Sequence, residues 1–333
     1  MAGSTSEPPA APPVGDAGRE ERLRRSDGPD LGLRLWAVDA PKAVVQIVHG
    51  LAEHCARYAP LAADLNRAGY AAIAHDIRGH GLTAGMAGSL GHMADGPGDW
   101  PALVADLAAV AAAAQARWPG RPLLLFGHSM GSVLSLAALE AREPPSAAPW
   151  AAAILSGPPG LPPPIAPLGL AIARLEALRL GRRGVSPLLH ALTFGGYGKA
   201  VERGPADRGT AFDWLSRDPD QVAAYIADPR CGFRASIGSW MALVSGLSQA
   251  TAVRALQRLP QDLPLLVIAG AEDPVGGKGK AVRALAARMR GTGRVQPDLR
   301  LRPGARHEVL NEIDAAAVRA EILDWLARLP LPA

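Results

Sequence analysis

The stretch LLFGHSMGS, Leu124 to Ser132, is an apolar run that ends in G-x-S-x-G and continues into a helix-forming segment, VLSLAALEA. A serine at the apex of such a strand-to-helix turn sits on strained backbone. The residues two before and two after it must be small for strand and helix to approach. Gly127 and Gly131 meet that need, and the helix that follows turns its positive N-terminal end toward Ser129. In a chain with 37 glycines the pattern alone also fits an ordinary glycine-rich turn, so its weight rests on what surrounds it.

Outward from this stretch, short and nearly continuous apolar runs recur at Ala43 to His49, Tyr70 to Ala74, Ala152 to Leu155 and Pro264 to Ala269. Such runs suit strands covered on both faces of a parallel sheet. Asp298 to Arg302 alternates instead and predicts a strand nearer an edge, and a hairpin is expected at Ser26-Asp27-Gly28 with Leu31 to Val38 as its second strand. Between the runs the apolar period becomes helical: Trp100, Leu103, Val104, Leu107 and Val110 form one stripe, and Ala281 to Met289 and Ala315 to Leu329 behave alike. The alternation predicts an α/β fold, a mostly parallel sheet of about eight strands flanked by helices. From Gly157 to Ala250 no convincing strand occurs, which predicts a helical cap inserted over the sheet. The expected division is a disordered tail at 1–18, a core at 19–156 and 250–333, and a cap at 157–249.

A serine hydroxyl needs a base, and the base needs an orienting acid, in the chain order Ser, acid, His for a nucleophile on this kind of turn. The run ending at Ala269 leads into Gly270-Ala271-Glu272-Asp273-Pro274. Asp273 is preferred to Glu272 because the Asp-Pro step fixes its direction. After the last strand, Pro303 to Glu308 carries His307, the only histidine downstream of Asp273. The oxyanion that forms when a carbonyl is attacked needs two backbone N–H donors. Met130, next to the nucleophile, and Leu51, after His49-Gly50, are the candidates.

His75-Asp76 followed by His80 hints at a metal site, but the further ligands are missing, so a structural hydrogen-bonding role is expected there. His54, His92 and His190 read as surface or supporting residues. The sequence calls for no metal and no cofactor. At 333 residues, 48% hydrophobic and 20% charged, the chain is an ordinary globular protein. Its net charge of +4 shows no basic run interleaved with aromatics, which argues against nucleic-acid binding. Cys55 and Cys231, the only two cysteines, read as reduced thiols. Met1 to Asp16 has no apolar core of a secretory signal. A cytoplasmic location is expected, and the oligomeric state is not legible.

Taken together, HGLAEHCARY (49 to 58), HDIRGHG (75 to 81), GHSMGS (127 to 132), GAEDPVG (270 to 276) and GARHEVLNE (304 to 312) resemble the monoacylglycerol lipase and lysophospholipase group of the α/β-hydrolases. That branch is often labelled serine aminopeptidase-like. The segment FDWLSRDPDQVAAYIADPRCGF (212 to 233) also resembles the caps of bacterial members. The resemblance implies an α/β-hydrolase fold, Ser129, Asp273 and His307 as triad, Leu51 and Met130 as oxyanion donors, and hydrolysis of a small-molecule carboxylic ester of monoacylglycerol or lysophospholipid type through an acyl-serine intermediate. An aminopeptidase or amidase with the same triad is the alternative, and would need a cap acid for the substrate amine. Glu176, Asp213, Asp218, Asp220 and Asp228 leave that open. A non-catalytic binding protein fits the motifs least.

The cap holds seven of the chain's fifteen aromatics, among them Phe194, Trp214 and Trp240. They predict either an apolar acyl pocket or the core of the cap itself. Leu161 to Leu180 predicts a buried cap helix, with transient contact at a membrane surface as the other reading.

Overall fold

The apolar runs form one sheet. Its strands are β1 (Arg19–Leu23), β2 (Leu31–Trp36), β3 (Val44–Val48), β4 (Ala71–His75), β5 (Leu123–His128), β6 (Trp150–Ser156), β7 (Leu265–Gly270) and β8 (Asp298–Arg302). The structure is a computed structural model that describes residues 17–141, 149–201 and 209–331. Most of the tail expected to be disordered therefore lies outside the described residues; the carbonyls of Ala17 and Gly18 accept from Arg34.

The strand order is β1-β2-β4-β3-β5-β6-β7-β8. The hairpin β1–β2 joins antiparallel to β4, and every later pairing is parallel. The alternating strand β8 lies at the edge, as its pattern predicts. After β3 the chain moves outward to β4, then crosses back to place β5 on the other side of β3. This reversal opens a crevice at the carboxyl ends of β3 and β5, the position where open α/β sheets bind ligands.

Successive side chains of a strand point to opposite faces, and the central strands divide accordingly. Val44, Val48, Leu123, Leu125 and Val267 join one apolar layer, whereas Val45, Ile47, Leu124, Phe126 and Ile268 join the other. The second layer is completed by α1 (Ala59–Arg67) and a C-terminal helix, Ala315–Ala327. On the first face lie α2 (Trp100–Arg117), with the predicted stripe buried except for the half-buried Val104, and α3 (Met130–Glu140). Each fully covered Leu or Val contributes about 1.5–3 kcal/mol.

Among the described residues between β6 and β7 there is no strand. This segment contains α4 (Ala166–Leu180), α5 (Pro187–Phe194), α6 (Pro219–Ala227) and α7 (Ile237–Ala250). Asp218 starts α6 by accepting from the Asp220 and Gln221 N–H groups. α7 packs on the sheet's own helices: a Cβ on Gly246 would stand 2.3 Å from the Trp100 ring. The burial expected for Leu161 to Leu180 is not what the structure has. α4 buries only Ala173 and Glu176, because one narrow side meets α7 and no layer of the described residues covers the rest. Leu168, Leu175 and Leu178 face outward, Leu178 at 86% exposure, and α5 adds Leu188 and Leu192.

Candidate active site

Ser129 caps α3 with φ 51° and ψ −117°, the strained backbone expected of a serine held at the apex of a turn. Its N–H donates to Ser156 C=O of the neighbouring strand, and its C=O accepts from Ser132 Oγ. The small-residue requirement is visible in distances. A Cβ on Gly131 would lie 2.1 Å from Val48 O, and one on Gly127 would lie 2.5 Å from Gly131 O.

His307 follows β8 and is fully enclosed. Its Nε2 is 2.9 Å from Ser129 Oγ and its Nδ1 is 2.9 Å from Asp273 Oδ2. Asp273 Oδ1 accepts the Val275 N–H at 2.8 Å, so both carboxylate oxygens are engaged. Glu272 points away to Lys278 at 3.0 Å and is 44% exposed at its side chain. The structure thus brings Ser129, His307 and Asp273 together and leaves Glu272 outside. Burial opposes an imidazolium at His307, but the Asp273 carboxylate more than offsets it and holds the pKa above the ordinary histidine value.

Gly50 carries the loop after β3 past the serine: a Cβ there would be 3.2 Å from Ser129 Cβ. Among the described residues no hydrogen bond takes the N–H of Leu51 or of Met130. The loop itself is held on every side of Leu51. His49 Nδ1–H donates to Gly50 C=O at 2.7 Å, Gly50 N–H donates to Glu53 at 2.6 Å, and Ala52 N–H donates to His80 Nε2 at 3.1 Å.

Sequence reasoning missed the ion network beneath this loop. Arg57 makes two 2.6 Å bonds to Glu308 and one of 2.8 Å to Glu53, and Tyr58 Oη–H donates to Glu53 at 2.8 Å. Burial would raise the Glu53 pKa, but Arg57, together with His128, His49 and the Gly50 N–H, outweighs it and brings the carboxyl down to about 2. The network ties the loop after β3 to the His307 loop. Both ends lie inside the quoted motifs, HGLAEHCARY and GARHEVLNE, but nothing local pairs residues 251 positions apart.

The histidines divide. His80 fills its hydrogen-bonding role, and so does Asp76, which accepts the Cys55 and Leu82 N–H groups. His75 does not: both its ring nitrogens are buried without a partner among the described residues, and burial depresses its pKa to about 3. That corrects the expectation for this position, because β4 turns the ring into the packed interior rather than into the loop. His54 is buried against Asp228 at 2.8 Å, His92 meets Ser236 at 2.8 Å, and the His190 ring lies 5.4 Å from Phe194.

The aromatics of the helical segment form a cluster that reaches His307. The Trp214 ring lies 5.2 Å from His307, Phe194 stacks 5.8 Å from Trp214, and Phe194 is 5.3 Å from Trp240. The segment is also bolted to the histidine loop. His307 N–H donates to Trp214 C=O, and Arg306 Nη1 donates to the carbonyls of Asp213 and Ser216.

Comparison with known proteins agrees with this architecture. Residues 39–314 match the family described as serine aminopeptidase, S33. The chain is 32% identical to a monoacylglycerol lipase of Mycolicibacterium smegmatis, over 88% of this chain and 91% of that one. It is 29% identical to the monoglyceride lipase of Rattus norvegicus, over 75% and 72%. Among solved structures, a thermostable carboxyl esterase from Bacillus coagulans superposes with a TM-score of 0.81 at 27% identity, covering 93% of this chain and 98% of that one. A sheet with this order, a serine on a strand-to-helix turn and a family match across most of the chain lead to one assignment: the chain belongs to the serine aminopeptidase, S33, family of α/β-hydrolases, in the branch that includes the monoacylglycerol lipases.

Proposed function

We propose that the chain hydrolyses carboxylic esters of monoacylglycerol type through an acyl-serine intermediate, with Ser129, His307 and Asp273 as its triad. The observation that carries this reading is the unbroken line of hydrogen bonds from Asp273 through His307 to Ser129, 2.9 Å at each step. In the first half, Ser129 Oγ attacks the ester carbonyl carbon while His307 Nε2 takes the hydroxyl proton. The N–H groups of Leu51 and Met130 meet the charge on the carbonyl oxygen. As the tetrahedral intermediate collapses, the bond to the alcohol oxygen breaks and that oxygen receives the proton from His307. Water, deprotonated by the same nitrogen, then releases the fatty acid and regenerates Ser129.

The helical segment 157–249 acts as the cap in this reading, and Phe194, Trp214 and Trp240 receive the acyl chain beside His307. The relatives named as monoacylglycerol lipases support the choice of acid and alcohol. A lysophospholipid, which also carries one acyl chain, fits the same pocket chemistry. Among the described residues, the acids that the peptidase alternative would draw on are engaged elsewhere or exposed. Glu176 is held by Arg179 and Ser186, Asp213 by Thr210, and Asp228 by His54 and Arg230. Asp218 caps α6, and Asp220 is exposed on it. No described helix is long and apolar enough to cross a membrane. The outward leucines of α4 and α5 instead rest on a lipid surface in our reading, where such esters reside. Two free, buried thiols suit a reducing, cytoplasmic setting.

The test is direct. A fluorophosphonate probe should label the protein at Ser129, and Ser129→Ala should abolish labelling and lower monoacylglycerol turnover by about six orders of magnitude. Near-normal turnover in a folded Ser129→Ala protein overturns the proposal.

A further inference from the structure

Ala52 has φ 59°, in the left-handed region that an alanine enters only when its surroundings hold it there. Three hydrogen bonds do so. Its N–H donates to His80 Nε2 at 3.1 Å, from the sheet side. Its C=O accepts from Tyr225 Oη–H at 2.8 Å and from Gly232 N–H at 2.9 Å, and both of these belong to the helical segment between β6 and β7. The same segment grips the neighbouring residues. His54 meets Asp228 at 2.8 Å, and the Arg57 guanidinium lies 4.9 Å from the centre of the Tyr225 ring. Ala52 follows Leu51 directly, so holding the Ala52 backbone fixes one end of the short loop that carries the Leu51 N–H.

We propose that the Tyr225 hydroxyl is a positioning group for oxyanion stabilisation: by holding the Ala52 carbonyl it keeps the strained loop in the one conformation that directs the Leu51 N–H at the attacked carbonyl. The overlying helical segment is then part of the framework of the oxyanion hole as well as a wall of the acyl site. The inference rests on the reading of Leu51 as an oxyanion donor. Tyr225 is suited to the task because burial pushes its phenol well above its ordinary pKa, leaving the hydroxyl a donor at any working pH. Its ring, packed between Phe212 and Arg57, fixes where that donor points.

The test compares an ester with its thionoester, whose sulfur accepts hydrogen bonds poorly, on the same enzyme preparation. The ratio of their kcat values reports oxyanion hydrogen bonding and is independent of how much of the preparation is folded. Removing one oxyanion donor costs about 10²–10³ in kcat, and a donor turned out of line should cost about tenfold. Tyr225→Phe keeps the ring and removes the hydroxyl. The expected result is about a tenfold fall in kcat for p-nitrophenyl butyrate, a KM unchanged within about twofold, and a matching fall in the oxo-to-thiono ratio. Replacing Tyr225 by 4-aminophenylalanine returns a donor at the same ring position and should restore most of the ratio. A ratio that is high in the wild type and unchanged in Tyr225→Phe overturns the positioning role and leaves the oxyanion hole standing. A wild-type ratio near one overturns the oxyanion reading itself, and the role of Tyr225 with it.

Discussion

Asp273 and Glu272 are adjacent carboxylates on one loop, and their environments separate them completely. Asp273 is buried with one oxygen on His307 and the other on the Val275 N–H, whereas Glu272 pairs with Lys278 in solvent. An acid in the first position holds the imidazole in the tautomer that presents a bare Nε2 to the serine. Asp273→Asn, which donates where the carboxylate accepted, should lower kcat by about four orders of magnitude. Glu272→Gln should change kcat by less than about twofold, since an exposed ion pair on a rim contributes little. Steady-state rates on a soluble butyrate ester decide between them, and the reverse ranking would show that the histidine is oriented by the other carboxylate. The loop was legible in the sequence as an acid-bearing turn after an apolar strand. That Asp-Pro would face inward was a local preference, and the packing of β7 against β8 turned it into a contact.

At the scale of elements, α4 and α5 differ from α6 and α7. The later pair are pinned by Trp214, Tyr225 and α7's packing on α2 and α3, all within reach of the loops that surround Ser129. The earlier pair touch α7 along one side and leave a leucine-rich face that no described residue covers. An apolar face of this kind, if it meets lipid, binds in proportion to the area it buries. Replacing Leu175 and Leu178 together by Gln keeps helix propensity and removes two exposed side chains, so the melting temperature should hold steady. Hydrolysis of a dissolved butyrate ester should be unchanged as well. Sedimentation with phosphatidylcholine vesicles should fall at least about tenfold, since burying each leucine contributes about 1.5–3 kcal/mol. Equal vesicle binding by wild type and variant would remove lipid contact from the description of this face.

For the whole molecule, buried titratable groups make stability depend on pH in both directions. His75 and His80 are depressed to about 3 and His128 to about 4, each by burial first, and in His80 and His75 by the neighbouring His49 next. The unfolded chain takes up these protons below pH 6.5 and the folded protein refuses them, so stability is full above 6.5 and is lost as the pH falls from there toward 4. Glu140 has the opposite sign. Burial pushes its carboxyl up to about 9, and one of its oxygens has no partner among the described residues. Its contribution is complete below pH 4.5 and declines as the pH rises toward 9. Three groups of the first kind outweigh Glu140 on the acid side, and His307, whose folded pKa is raised, adds to the loss as the pH climbs above 6.5. The melting temperature should therefore peak near pH 6.5 and fall on both sides. Glu140→Gln should flatten the alkaline fall and leave the acid one in place. A scan from pH 4 to 9 on both proteins checks this, and parallel curves would mean that Glu140 is ionised in the folded state.

What the sequence alone determined was everything that depends on neighbours along the chain. The strands followed from short apolar runs, the helices from the 3.6-residue stripe, and the serine turn from two glycines that let β5 and α3 approach. The order of serine, acid and histidine followed from which loops end which strands. What only the tertiary structure decided was which distant groups meet and which faces stay uncovered. Arg57 finds Glu308, Tyr225 finds the Ala52 carbonyl, His75 is turned into the interior, and α4 keeps its leucines outside. Backbone sterics and residue periodicity act over a few positions and leave a pattern that can be read. Burial and long-range pairing depend on how whole layers close over one another, and an apolar residue looks the same in the sequence whether or not a layer covers it.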